Sequence, residues 1–168
     1  MSASPAVEEL HTALAGETET YRELVGLTRR ERAALQEKNL TSLAEIVRQK
    51  EAVLADLMHG EHTRTQILAR LSEEISVPAS ASLSDIIAVL GGPEAQNLLG
   101  LRQELTNLVE ELLSLNHGNH LLLQSELDQV DATFNYLMSS TFTTDGPYTA
   151  KGDARPQATP GTVLNWRI

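Results

Sequence analysis

Apolar positions recur three and four residues apart along most of the first 138 residues. Val7, Leu10, Leu14, Tyr21, Leu24, Leu27 and Leu35 form one helical face. Ser4 followed by Pro5 supplies an N-cap and a first-turn proline, so a first helix is predicted over about 6–38. Glu8, Glu9, Glu17, Glu19, Arg22, Arg29 and Arg30 fall on its other faces. Asn39 is a good cap for a second run through Leu43, Ile46, Val47, Val53, Leu54, Leu57, Ile67, Leu68 and Leu71, which predicts a helix over 40–75. The alternating charges Glu45, Arg48, Lys50, Glu51 and Asp56 read as its solvated face. The pattern stops at SVPASASLSD, where Ser82 and Asp85 have capping-box spacing ahead of a short helix over 83–90. Gly91-Gly92 ends it. Pro93 then opens a helix over 93–138, roughly 68 Å long at about 1.5 Å per residue. The fold class expected is all-α: an elongated antiparallel bundle of three long helices and one short one over residues 1–138. Residues 139–168 are rich in glycine, proline and threonine without a helical period, and are expected to form a flexible C-terminal tail.

The longest run contains an interruption, SLNHGNHLLLQ, from Ser114 to Gln124. Written as heptads, Leu98, Leu105, Leu112 and Asn119 share one line, and Leu101, Leu108, Leu115 and Leu122 share its companion. Farther on, the apolar seam is Leu123, Leu127, Val130, Phe134 and Leu137, displaced by about one residue. Such a change of phase is expected where a long helix changes neighbours. A helical glycine costs about 1 kcal/mol relative to alanine, and a buried amide without partners roughly 1–3 kcal/mol. Asn116 and Asn119 therefore read as a polar layer that sets register at some loss of stability. Gly118 reads as a place where a neighbouring backbone approaches.

Composition narrows the chemistry. The 168 residues carry a formal charge of −10, which disfavours nonspecific binding to nucleic acid or an anionic membrane. Aromatic residues are 4%, so the core must be aliphatic. With no cysteine, disulfides, thiolate metal sites and cysteine nucleophiles are excluded together. No apolar run approaches membrane-spanning length, and the first residues do not read as a signal peptide. His59 and His62, and His117 and His120, are each three apart, and four imidazoles on two helices would suit a metal if the pairs met. Glu-x-x-His spacing is missing from both pairs, so histidines on polar helix faces are the simpler reading. GGPE lacks the pattern of a phosphate loop, and there is no Gly-x-Ser-x-Gly elbow. The expectation is a protein without catalytic residues or a cofactor.

Several short segments, in order, carry a resemblance. They are the turn Leu35-Gln36-Glu37-Lys38-Asn39-Leu40, then Leu43-Ala44-Glu45-Ile46-Val47 followed by Lys50-Glu51, then Leu57, Glu61 and Arg64. Last comes Leu115-Asn116-His117-Gly118-Asn119-His120-Leu121-Leu122, with Asn116, Asn119 and Leu122 in an Asn-x-x-Asn-x-x-Leu pattern. With Tyr148-Thr149-Ala150-Lys151-Gly152 beyond them, the chain resembles the FlgN-type flagellar export chaperones. Asn39 and Gly118 depart from the family's usual residues.

The resemblance implies a cytoplasmic chaperone for the hook-filament junction proteins FlgK and FlgL, held before type III export, with the export gate and export ATPase as further partners. Such clients have amphipathic terminal segments whose apolar face a helical groove can bury without hydrolysing anything. The client surface is expected on Leu123, Leu127, Val130, Phe134 and Leu137, and a gate contact on Tyr148, Gly152, Val163, Leu164, Trp166 and Ile168. Three other readings compete with it. They are a self-associating coiled-coil scaffold, a chaperone for another type III client such as the filament cap or a virulence effector, and a bundle that binds metal through the four histidines.

Overall fold

The structure, a computed structural model, describes residues 4–78 and 80–141. Four helices follow in order: α1 (Pro5–Gln36), α2 (Leu40–Glu74), α3 (Leu83–Leu90) and α4 (Gly92–Thr141). Among the described residues there is no strand. The chain divides into two units, Met1–Leu123 and Gln124–Ile168, and the boundary falls within α4.

Local chemistry explains the helix ends. Asn39 Oδ1 accepts the Ser42 N–H at 3.0 Å and caps α2. Ser82 and Asp85 form the reciprocal capping box of α3, and these hydrogen bonds lower the Asp85 pKa. Ser4 differs from the expectation: its backbone is extended as an N-cap's should be, but its hydroxyl donates to Glu74 Oε2 at 3.0 Å instead of capping α1. The other two ends need no glycine. After α1, Lys38 takes φ +54°, so that the Lys38 N–H reaches Leu35 O at 3.1 Å and the Asn39 N–H reaches Ala34 O at 2.9 Å. After α2, Ser76 takes φ +58° and Ser76 and Val77 donate to Glu73 O and Ser72 O in the same way. Both are Schellman motifs with a non-glycine residue at the left-handed position.

In the first unit the helices meet along heptad seams. On α1 the inward positions are Val7, Leu10, Leu14, Glu17, Tyr21, Leu24, Thr28 and Glu31. On α2 they are Ile46, Lys50, Val53, Leu57, Arg64, Ile67 and Leu71. On α4 the fully buried line is Leu98, Leu105, Leu112 and Asn119, with Val109 beside it. Pairing fixes the directions. Glu9–Arg70, Glu17–Arg64 and Glu31–Lys50 run α1 against α2, whereas Arg22–Glu104 and Arg29–Glu111 step seven residues along both partners, so α1 and α4 are parallel. Leu83, Ile86 and Ile87 bury the apolar face of α3.

Two charged residues expected on outward faces therefore point inward. Glu17 is 3% exposed, and the Lys50 side chain is 16% exposed. Both occupy seam positions that an apolar count along the sequence passes over, because each meets an opposite charge at the same level of the neighbouring helix.

The backbone at these ends is testable by urea denaturation. A left-handed non-glycine residue costs about 1 kcal/mol or more, so Ser76→Gly should stabilise the protein by roughly 0.5–1 kcal/mol. Gly91, at φ 61° and ψ −178°, sits where only glycine is comfortable. Gly91→Ala should therefore destabilise by about 1–3 kcal/mol; equal stabilities for the three proteins would refute the assignment of these conformations.

Candidate functional site

The interruption on α4 becomes a polar layer that joins three helices. Asn119, 5% exposed, donates from Nδ2 to Thr28 O at 3.0 Å and to Glu31 Oε2 at 2.8 Å, while its Oδ1 accepts from Arg32 Nε at 3.1 Å. Its amide is thus satisfied by α1 alone. Lys50 on α2 donates to the same Glu31 Oε2 at 2.9 Å and to Asn116 Oδ1 at 3.3 Å, which closes the layer. Gly118 belongs to it for a different reason from the one expected. A Cβ at that position would collide with Arg32 Nη2 and lie 3.1 Å from its Cζ, so the close neighbour is a guanidinium and not a backbone.

A second polar layer lies two heptads away along the hairpin. Arg64 Nε donates to Glu17 Oε1 at 3.0 Å, and the Tyr21 hydroxyl donates to Glu61 Oε1 at 3.4 Å. Glu17 Oε2 is buried without a hydrogen-bond partner. Burial raises the Glu17 pKa above its ordinary 4.5; Arg64 opposes that and Glu61 reinforces it. Burial, with Glu61 and Glu17 nearby, likewise raises the Tyr21 pKa.

In each layer an ion pair crosses the seam between α1 and α2, Glu31 with Lys50 and Glu17 with Arg64. Two concavities accompany them. One of about 930 Å³ is a surface groove between the start of α1 and the end of α2, spanned by the Glu9–Arg70 pair. The other, about 240 Å³, has Leu35, Leu43, Val47 and Leu123 as its apolar wall and Lys50 and Asn116 at its polar end. His59, His62, His117 and His120 are all exposed, and among the described residues no group of three or more histidine or acidic side chains is placed to hold a metal.

The expected client residues are exposed. Leu123 is 44% exposed; in the second unit Leu127, Val130, Phe134 and Leu137 are 57, 63, 60 and 54% exposed. The spacing of Leu127, Val130, Phe134 and Leu137 places these four on a common helical face. Tyr136 and Met138 add exposed apolar surface that the sequence reading left out, because they lie outside the seam's period. Tyr148, Gly152, Val163, Leu164, Trp166 and Ile168 lie outside the described residues.

Compared with the protein families, the chain matches the one described as FlgN protein over residues 1–156. It belongs to the FlgN family. FlgN proteins are flagellar export chaperones that act on hook-associated proteins, so both polar layers and the exposed face belong to a chaperone. Curated proteins and solved structures gave no match. Within this FlgN chain the Asn116–Asn119 motif is a structural joint, and the apolar residues beyond it form the exposed face.

Two measurements test the layers. Gly118→Ala gains about 1 kcal/mol of helix propensity but displaces Arg32 from Asn119, a charge-assisted bond worth about 1.5–3 kcal/mol. It should destabilise the natural protein and stabilise an Arg32→Ala variant; the same sign in both backgrounds would remove the steric link. For Glu17 the folded pKa lies above the unfolded one, so its contribution is greatest at low pH and declines as pH rises from 4.5 through the raised value. Glu17→Gln lacks that decline. Urea denaturation across a pH series should show the stability difference, natural protein minus variant, falling over this window; a flat difference would mean an unshifted carboxyl.

Proposed function

We propose that this FlgN protein holds the hook-filament junction proteins FlgK and FlgL in the cytosol before flagellar type III export. Their amphipathic terminal segments would lie along Leu123, Leu127, Val130, Phe134 and Leu137. The observation that carries this reading is the exposure of large apolar side chains at helical spacing. Leu127, Val130 and Phe134 each leave more than half of their surface open. Soluble proteins rarely leave such a face uncovered unless something binds it.

The chemistry of the face suits a helix laid alongside it. A client segment that is disordered when free becomes helical as its apolar positions are buried, so binding and folding are coupled. Glu126 and Asp131 flank the face, which favours clients with basic residues beside their apolar stripe. No described helix is long and apolar enough to cross a membrane. Handover at the export gate, with the export ATPase nearby, is assigned to Tyr148, Gly152, Val163, Leu164, Trp166 and Ile168. Deleting residues 143–168 without loss of gate binding would remove that assignment.

Calorimetry with the C-terminal segments of FlgK and FlgL, with filament-cap protein as control, tests the client assignment alongside circular dichroism. Selective binding with a gain of helix is expected. The paired substitution Val130→Ser and Phe134→Ser should weaken it at least tenfold, about 1.4 kcal/mol, without lowering folding stability. Equal affinity for the control, or binding indifferent to the substitutions, would refute this client surface.

A further inference from the structure

The exposed apolar face of α4 lies on an acidic stretch of the helix. Residues 124–141 contain Glu126, Asp128 and Asp131 and no lysine or arginine. The same chain carries a segment of complementary character. Residues 155–168, RPQATPGTVLNWRI, contain Arg155 and Arg167 and no acid, and bring Val163, Leu164, Trp166 and Ile168 together within six positions. In a protein of net charge −10, so cationic and apolar a stretch stands out.

Reach is not limiting. From Phe142 to Val163 the chain can extend up to about 70 Å, at about 3.3 Å per residue. The helix from 124 to 141 is only about 27 Å long. A tethered segment meets such a surface at an effective concentration on the order of millimolar, far above that of a second molecule in solution. A second copy is also disfavoured by charge, because each brings the same acidic stretch and the same overall excess of carboxylates.

We propose that residues 163–168 dock on Leu127, Val130 and Phe134 of their own chain, with Arg155 and Arg167 against Glu126 and Asp131, which border that face. The segment then covers the face while no client is present and is displaced when one arrives. The second statement rests on the chaperone reading, whereas the docking does not.

Trp166 is the only tryptophan, so its emission reports the docking directly. The comparison is between the full chain and a synthetic peptide of residues 155–168. The full chain should emit at shorter wavelength and resist acrylamide quenching, with no change on dilution. Val130→Ser with Phe134→Ser should return the emission to that of the free peptide, and added salt should move it part of the way. These two residues are 63 and 60% exposed, so the variant keeps its fold, which far-ultraviolet circular dichroism verifies. Emission equal to the peptide's, or indifferent to the paired substitution, would overturn the docking. A shift on dilution would overturn it in favour of a second copy.

The client arm is separate. Truncation after Ala154 should tighten binding of the FlgK or FlgL segment several-fold. Unchanged affinity beside a docked Trp166 signal would overturn the competition alone. No client binding in either form would overturn the chaperone reading and leave the docking standing.

Discussion

One carboxylate oxygen, Glu31 Oε2 on α1, accepts hydrogen bonds from Lys50 of α2 at 2.9 Å and Asn119 of α4 at 2.8 Å. The long helices meet there with a specificity that aliphatic side chains do not supply. A seam of leucines accepts a slip of one heptad with modest loss, since one leucine replaces another. A buried amide or carboxylate does not, because its unmade bonds cost roughly 1–3 kcal/mol each and more for a charge. The Glu17–Arg64 pair repeats the condition fourteen residues away on both helices, as Glu31–Lys50 shows. Two separate ion pairs thus join α1 and α2, and Asn119 joins α4 to one of them.

The same logic explains what could be read from the sequence. Helices, caps and chain order follow from apolar period and from Asn39, Ser82 and Pro93, because local chemistry decides them. Asn119 was legible too, since it replaces a leucine in a regular line. Glu17 and Lys50 were not: their side chains are charged, and only the partner helix shows that each is neutralised across the seam. Arg32 was hidden for the same reason, and so the purpose of Gly118 was half seen. Its lack of a side chain was evident, but the guanidinium filling that space belongs to a residue 86 positions earlier. Lys38 and Ser76 ended their helices unannounced, because a left-handed turn leaves no composition signal when glycine is not used.

Exposure is the other quantity that periodicity leaves open. Leu112 and Phe134 both fit a helical apolar stripe, yet one is 5% exposed and the other 60%. Spacing identifies a face; only the neighbours present in the fold decide whether the face is core. On α4 the change follows the polar layer. The buried line ends at Asn119, and the apolar positions resume one residue out of phase from Leu127. The polar layer lies in the first unit, and the proposed client residues from Leu127 onward lie in the second.

The amount of apolar surface on that face sets the kind of binding it can give. Full burial of a large aliphatic or aromatic side chain is worth about 1.5–3 kcal/mol, and these residues already have part of that burial. If the client lies where proposed, completing it for Leu127, Val130 and Phe134 would yield on the order of 3–5 kcal/mol on the chaperone's side. The client's own apolar positions add a comparable amount. Against this stand the ordering of a disordered segment, about 2–5 kcal/mol, and the loss of translational and rotational freedom on association. On the proposed client surface these gains and costs are of similar size, so binding there would be reversible. A protein that releases its client to an export apparatus without breaking a covalent bond needs such a balance: a face broad enough to keep an amphipathic segment from polymerising, and too small to hold it against a competing site.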